Sequence, residues 1–80
     1  MTMVTAFVLV KANPGTEDRV FSELAKLEEA EEVHTLFGEY DLIVKVEVDN
    51  YESLGKLVID KIRTMDGVKE TKTMMGTDKI

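Results

Sequence analysis

Four stretches of the chain combine apolar and β-branched residues in the short runs that are typical of strands. They cover residues 3–11, 33–37, 40–48 and 68–75. The first and third runs are almost continuously apolar, which predicts strands in the middle of a sheet. The second and fourth carry more polar residues and are therefore expected at its edges.

Two stretches between these runs place apolar residues at helical spacing. The first helix is predicted from a cap at Thr16 to about Glu29, with acidic residues in its first turn to complement the helix dipole. The second is predicted after a cap at Asp49, with Glu52 three residues on as in a capping box, and it ends at residues 66–67. The predicted order along the chain is therefore β-α-β-β-α-β.

This order consists of two similar β-α-β halves. Right-handed crossovers place both helices on one face of a four-stranded antiparallel sheet. Each crossover skips one strand position, which gives the spatial order 4-1-3-2. We therefore predict a ferredoxin-like α+β sandwich, formed by one domain over residues 1–80.

Both alternating sets of side chains in the first strand are largely apolar. They are Val4, Ala6, Val8 and Val10 on one side and Thr5, Phe7 and Leu9 on the other. Helices cover one face only, so the other face would expose a large apolar patch. The simplest cover is the same sheet of a second copy, packed face to face, and we expect a dimer or a larger homo-oligomer.

The connection between the second and third strands contains Gly38, followed by Tyr40 and Asp41. Gly38 is predicted at the first central position of a two-residue type II′ turn, where φ is positive. Asp has a low propensity for strands, so a carboxylate at the start of an apolar strand suggests a role other than packing. Asp41 could accept hydrogen bonds from an ammonium group or from the N–H groups of the turn.

The charge and the cysteine count narrow the classes of function. The formal net charge is -6, and ten basic residues are scattered among sixteen acids, so the concentrated basic face that nucleic-acid binding requires is not expected. The chain contains no cysteine and one histidine, which excludes disulfides and thiolate chemistry and disfavours a metal site. We predict neither a cofactor nor direct binding to nucleic acid.

The remaining composition bears on location. The first residues lack the pattern of a secretion signal, and no apolar run reaches the length of a membrane span, so we expect a cytoplasmic protein without membrane contact. The chain has no Gln, while Glu and Lys are abundant, a bias that is typical of thermophile proteins.

Three segments form a recognisable pattern in this frame: residues 38–42 (Gly-Glu-Tyr-Asp-Leu), 65–68 (Met-Asp-Gly-Val) and 71–73 (Thr-Lys-Thr). Over essentially the whole chain they resemble the effector-binding domain of the Lrp/AsnC family of feast/famine transcription regulators, called the RAM domain. Regulators of the family carry a helix-turn-helix before this domain, and nothing precedes the first strand here. The resemblance therefore implies a stand-alone RAM module, without enzymatic activity, that could act on a full-length regulator by co-assembly.

The resemblance also implies a ligand site and an assembly. The ligand would be a small amino-acid effector, and the candidate binding residues are Gly38, Tyr40, Asp41, Thr71 and Thr73. In the family, dimers assemble into octameric or decameric rings, and effectors bind at the contact between dimers. Each candidate also has a structural interpretation: turn geometry for Gly38 and Asp41, packing for Tyr40 and strand propensity for the threonines.

Two other classes of function stay open. Dimeric ferredoxin-like barrels include cofactor-free monooxygenases, and His34 would be the catalytic candidate, although no acid or base partner stands at a fixed spacing from it. ACT-like regulatory subunits share the strand order, but their Gly-rich first loop is not evident at residues 13–15. Met74 and Met75 are expected to pack at an edge or an interface.

Overall fold

The computed structural model describes residues 3–75, which form four strands and two helices. The elements are β1 (Val4–Ala12), α1 (Glu17–Ala25), β2 (Ala30–Thr35), β3 (Leu42–Val48), α2 (Tyr51–Lys56) with a π-helical continuation (Leu57–Ile62), and β4 (Val68–Met75). All strand pairs are antiparallel, and the strand order is β2-β3-β1-β4. This is the order 4-1-3-2 read from the opposite edge, so the predicted ferredoxin-like fold is confirmed.

One face of the sheet packs against both helices and forms the core. Alternate residues of the two central strands point to this face, because Val8 pairs with Val44 and Val10 with Leu42. The helices contribute Val20, Leu24, Leu54, Leu57, Val58 and Ile62 to the same core. Each fully buried Val or Leu contributes roughly 1.5–3 kcal/mol, so this layer is the main source of stability.

The start of α2 differs from the predicted cap, and the start of α1 has the predicted residue in the cap position. Asn50, not Asp49, caps α2: its backbone is extended, and its Oδ1 accepts a hydrogen bond from the Ser53 N–H at 2.7 Å. Thr16 precedes α1, but its backbone lies outside the extended region and its side chain does not cap the helix. Its hydroxyl instead donates to the carbonyl of Asn13 at 2.7 Å. Thr16 therefore occupies the predicted N-cap position without a side-chain cap, whereas the predicted cap at Asp49 was wrong.

The first helix ends at Ala25, earlier than the predicted Glu29, and β2 begins at Ala30 and ends at Thr35. The N–H groups of residues 26 and 27 bond to carbonyls three residues back, at 3.2 and 3.1 Å, which tightens the last turn and ends the helix. The predicted second strand, 33–37, was therefore placed too late in the chain.

The second helix widens into a π-helix and ends at Ile62, short of the predicted end at residues 66–67. The N–H of Arg63 donates to the carbonyl of Val58 at 2.8 Å, which is the i→i−5 bond of a π-helix. Met65 is half-buried and packs against the core after the helix has ended, so its apolar character imitated a continued helical pattern.

Gly67 joins the turn before β4 to the loop after β1. Its φ is +99°, a left-handed value that glycine adopts without strain. The carbonyl of Gly67 accepts a hydrogen bond from the Asn13 N–H at 2.8 Å. A Cβ at this position would lie 2.8 Å from Oγ1 of Thr16 and 3.0 Å from Cγ2 of Val20, so the two connections pack without room for a side chain.

Candidate ligand-binding site

Residues 36–41 connect β2 and β3 as a longer loop than the predicted two-residue type II′ turn, so that prediction was wrong. The N–H of Leu36 donates to the carbonyl of Asp41 at 2.8 Å and closes the loop. Gly38 does adopt a positive φ, +128°. A Cβ on Gly38 would meet no atom within 4 Å, so its surroundings in the protomer are open.

Asp41 ends the pairing between β3 and β1. Its N–H donates to the carbonyl of Val10 at 2.9 Å, and its Oδ2 accepts a hydrogen bond from the N–H of Ala12 at 2.8 Å. Val10 is the last residue of β1 that pairs with β3, so the carboxylate takes the place of a backbone acceptor where the ladder stops. Within residues 3–75, Oδ1 of Asp41 makes no hydrogen bond.

Tyr40 connects the loop to β4. Its hydroxyl lies 3.5 Å from Oε2 of Glu70, and Nζ of Lys11 lies 5.7 Å from the centre of its ring. Partial burial raises the pKa of Tyr40, and the negative charges of Glu70 and Glu39 raise it further. Tyr40 therefore has packing and polar partners within the protomer, as the structural interpretation expects.

Thr71 and Thr73 lie on the helix side of the edge strand β4. Thr71 pairs with Val10, and Thr73 pairs with Val8, whose side chains point into the core. Thr71 is half-buried and Thr73 is exposed. The five predicted residues thus form two groups, a loop group and a β4 group, separated by the width of β1.

Two separate hollows lie beside β4 and are called the polar hollow and the apolar hollow below. The polar hollow has a volume of about 330 Å³ and is lined by Arg63, Val68, Lys69, Glu70 and Thr71. The apolar hollow has a volume of about 350 Å³, and its lining includes Tyr51, Val58, Ile59, Thr73 and Met75. Each of the two threonines therefore lines one hollow.

Sequence reasoning missed Arg63 and Ile59. Within residues 3–75, neither Arg63 nor Lys69 takes part in an ion pair. Arg63 follows Ile59 by about one helical turn, and that spacing was visible in the sequence. It did not reveal that both residues face β4, because this depends on where the π-helix begins.

The sheet face opposite the helices is uncovered in the protomer and is called the open face below. It carries the apolar side chains of Phe7, Leu9, Ile43 and Met74, which are exposed or half-buried. The edge residue His34 pairs with Ile43 on this face, and its Nε2 lies 3.0 Å from Oε1 of Glu32. The side chains of His34 and Glu32 are both exposed to solvent at the edge of the open face.

Two further findings concern the described part of the chain. Residues 3–75 contain no group of three or more His, Cys, Asp or Glu side chains placed to hold a metal ion. Neither of the helices in this range has the length and apolar character needed to span a membrane.

An antiparallel sheet with two helices on one face and an open apolar face on the other defines a small α+β domain of the ferredoxin-like class. The chain belongs to the Lrp/AsnC family, as the resemblance predicted, because residues 5–80 match the profile described as the Lrp/AsnC ligand binding domain.

Known proteins similar to this chain are regulators and domains of the same fold. An uncharacterised HTH-type transcriptional regulator of Pyrococcus abyssi is 40% identical over 79 residues, which cover 95% of this chain and 53% of that protein. The chain therefore spans about half the length of the curated relatives it matches. The crystal structure of FFRP-DM1 has a TM-score of 0.89 and 40% identity, covering 92% of this chain and 99% of that one.

A likeness of fold extends to a more distant protein. The transcriptional regulator NMB0573 of Neisseria meningitidis, solved as a complex with L-Met, has a TM-score of 0.84 and 19% identity. The matched region covers 96% of this chain and 51% of the Neisseria protein.

Proposed function

We propose that the chain binds a free amino acid or a closely related small effector, and that it oligomerises, as a regulatory module of the Lrp/AsnC family. The observation that carries this proposal is that only one of the two carboxylate oxygens of Asp41 is hydrogen-bonded. Its Oδ2 holds the N–H of Ala12, while Oδ1 makes no hydrogen bond within residues 3–75. A carboxylate in this state can accept a charge-assisted hydrogen bond from an α-ammonium group, and the open surroundings of Gly38 leave space for it.

The separation of the two residue groups supports a site shared between copies. Asp41 and Thr71 flank Val10 from opposite sides, so their backbones are about 10 Å apart, twice the spacing of neighbouring strands. A ligand as small as an amino acid would reach both groups more easily if the loop of one copy met β4 of another. The hydroxyls of Thr71 and Thr73 would then bind its carboxylate or a polar side chain, with Tyr40 beside them.

The open face supports oligomerisation. Phe7 is 36% exposed and Met74 is 43% exposed, and these residues pair across β1 and β4. The same sheet of a second copy is the proposed cover, since sheets pack face to face over such apolar surfaces. Assembly of these dimers into an octameric or decameric ring, and co-assembly with a full-length regulator, are the larger arrangements that we propose from family membership.

A thermal-shift screen across the amino acids tests the ligand class, because a ligand that binds the native state raises the melting temperature by mass action. L-methionine is the first probe, since it is the ligand of the Neisseria protein of the same fold. Failure of every amino acid to shift the melting temperature would contradict the proposal.

Replacement of Asp41 by Asn tests the site. Asn keeps an oxygen for the N–H of Ala12 and removes the charge, so the fold is expected to remain. The affinity for the best ligand should fall by one to two orders of magnitude, since a hydrogen bond to a charged group contributes about 1.5–3 kcal/mol. Isothermal titration measures this, with Asp49→Asn as the matched control in an exposed position. Wild-type affinity in Asp41→Asn, together with a lower melting temperature, would assign Asp41 a purely structural role.

A further inference from the structure

The polar hollow beside β4 is lined by two cations. They are Arg63 and Lys69, and neither takes part in an ion pair within residues 3–75. The only acidic residue between them in the chain, Asp66, pairs with Arg19 instead. Both cations are exposed at the surface, so an anion from solution can reach them.

Each of the two cations lies beside an irregularity of the backbone. Arg63 directly follows the π-helical segment, and its N–H donates to the carbonyl of Val58 at 2.8 Å. Lys69 is the extra residue of a β-bulge, because its two neighbours in β4 pair with the adjacent residues Lys11 and Ala12 of β1. Short π-helical segments and β-bulges are both frequent at functional sites. Two such irregularities, each beside a cation of the same hollow, indicate a binding site.

The donor groups of the polar hollow match a phosphate group. The guanidinium of Arg63 offers a planar fork of N–H donors for two phosphate oxygens, and the ammonium of Lys69 adds a compact charge. The hydroxyl of Thr71, which lines the same hollow, can donate to a third oxygen. A dianion balances both cations, whereas a monocarboxylate would leave one of them uncompensated. The volume of about 330 Å³ is near the lower limit for ligand sites, so the ligand should be small.

One carboxylate, that of Glu70, also lines the polar hollow. Its Oε2 lies 3.5 Å from the hydroxyl of Tyr40, which can donate a hydrogen bond to it. The negative charge of Glu70 remains and opposes the binding of an anion. Removal of this charge should therefore strengthen binding, an effect opposite in sign to the loss of either cation.

We propose that the polar hollow binds a dianionic phosphate group, as free phosphate or as the phosphate monoester of a small alcohol. Arg63 and Lys69 are its cationic contacts, and Thr71 is a neutral donor. This site goes beyond the proposed effector function, because Thr71 is the only candidate effector residue that lines the polar hollow. Occupancy of the site would follow the concentration of phosphate or of a phosphorylated metabolite, and it does not require Asp41.

The test measures the affinities of the full chain for inorganic phosphate, glycerol 3-phosphate and acetate by isothermal titration at one ionic strength. Two charge-assisted hydrogen bonds predict a dissociation constant of about 1 mM or lower for the tighter phosphate, and acetate should bind at least tenfold more weakly. Tighter binding of glycerol 3-phosphate identifies a monoester as the ligand, and otherwise the ligand is free phosphate. Failure of both phosphates to bind, or equally tight binding of acetate, would overturn the proposal.

Variants locate the phosphate in the polar hollow. Arg63→Gln should weaken the tighter phosphate about tenfold, through the loss of a hydrogen bond to a charged group. Lys69→Gln should weaken it about two- to fivefold, as expected for an exposed charge pair, and Glu70→Gln should strengthen it by a similar factor.

The matched control is Lys56→Gln. Lys56 is an exposed cation of α2 that lies outside the polar hollow and in no ion pair within residues 3–75. This variant changes the net charge as Arg63→Gln does, so it reports the effect of charge alone. A loss of affinity in Arg63→Gln no larger than in Lys56→Gln, at an unchanged melting temperature, would overturn the proposal, as would weaker binding in Glu70→Gln.

A comparison with Asp41→Asn separates this inference from the proposed function. That variant should bind phosphate like the wild-type chain while it loses affinity for the amino acid. A loss of phosphate binding in Asp41→Asn would overturn the polar hollow as the site. Phosphate binding that depends on Arg63, in a chain that binds no amino acid, would support this inference and contradict the proposed function.

Discussion

The two faces of the sheet come from the same strands and differ in what covers them. Leu42 and Val44 are fully buried under the helices, while Ile43 between them is only half-buried on the open face. Both faces are apolar, so composition alone does not decide which one is buried. Two crossovers of the same hand place both helices on one side, and this leaves the other side available for a partner.

Neighbouring residues on the two faces give the largest expected contrast. Leu42→Ala should lower the free energy of unfolding by about 2–5 kcal/mol, because it leaves a cavity in the core. Ile43→Ala should cost less, and its cost should grow with protein concentration because its contacts form in the assembly. Urea unfolding at two protein concentrations measures both. Equal losses, independent of concentration, would contradict the distinction between the faces.

A charge on the open face should break the assembly and leave the protomer folded. Phe7→Lys would place an ammonium group between the packed sheets, where an unpaired ion costs several kcal/mol. Light scattering after gel filtration should then give a mass near 9.0 kDa with an unchanged circular dichroism spectrum.

The control for this experiment is Ile59→Lys, which changes a more exposed apolar residue on the helix side. It should keep the mass of the wild-type assembly. A wild-type chain that already runs near 9.0 kDa would refute assembly through the open face.

The smallest effect is expected at the rim of the open face, where Tyr40 meets Glu70. The pKa of Tyr40 is raised by partial burial and then by the charges of Glu70 and Glu39. Because this pKa is higher in the folded than in the unfolded state, the contribution of neutral Tyr40 to the free energy of unfolding is complete below the ordinary tyrosine pKa. This contribution is lost as the pH rises through the pKa of the folded state. Glu70→Gln should therefore lower the pKa of Tyr40 toward its ordinary value.

An alkaline absorbance titration, compared with that of Tyr40→Phe, measures this pKa, and Glu47→Gln is the control. The same titration in the Phe7→Lys variant tests whether assembly buries the rim around Tyr40. If it does, the pKa of Tyr40 should be lower in this dissociated variant than in the wild-type assembly. An unchanged pKa in Glu70→Gln would show that Glu70 does not act on the phenol.

Strands with strong β-branched runs between clear breakers could be predicted closely. The bounds of β4 were predicted as they are found, and those of β1 to within one residue at each end. The turn at Gly38 could not be predicted, because its length depends on the side chain of Asp41, which bonds to Ala12 in another strand. Single-residue propensities contain no information on such a contact.

The candidate site was predictable in its residue types and not in its arrangement. The direction of Thr71 and Thr73 follows from their register with β1, which only the folded sheet fixes. Arg63 follows a π-helical segment, and apolar spacing does not distinguish a π-helix from an α-helix over so few residues.

The strand order also determines when each strand can pair while the chain is being synthesised. β1 is synthesised first, yet its neighbours in the sheet are β3 and β4, so one side of this apolar strand stays unpaired until Val68–Met75 leaves the ribosome. Pairs such as Ala6 with Met75 join distant parts of the sequence, and such contacts slow folding. An apolar strand with an unpaired edge can pair with a non-native strand or with another chain. The nascent chain is therefore more prone to aggregation than the folded protein.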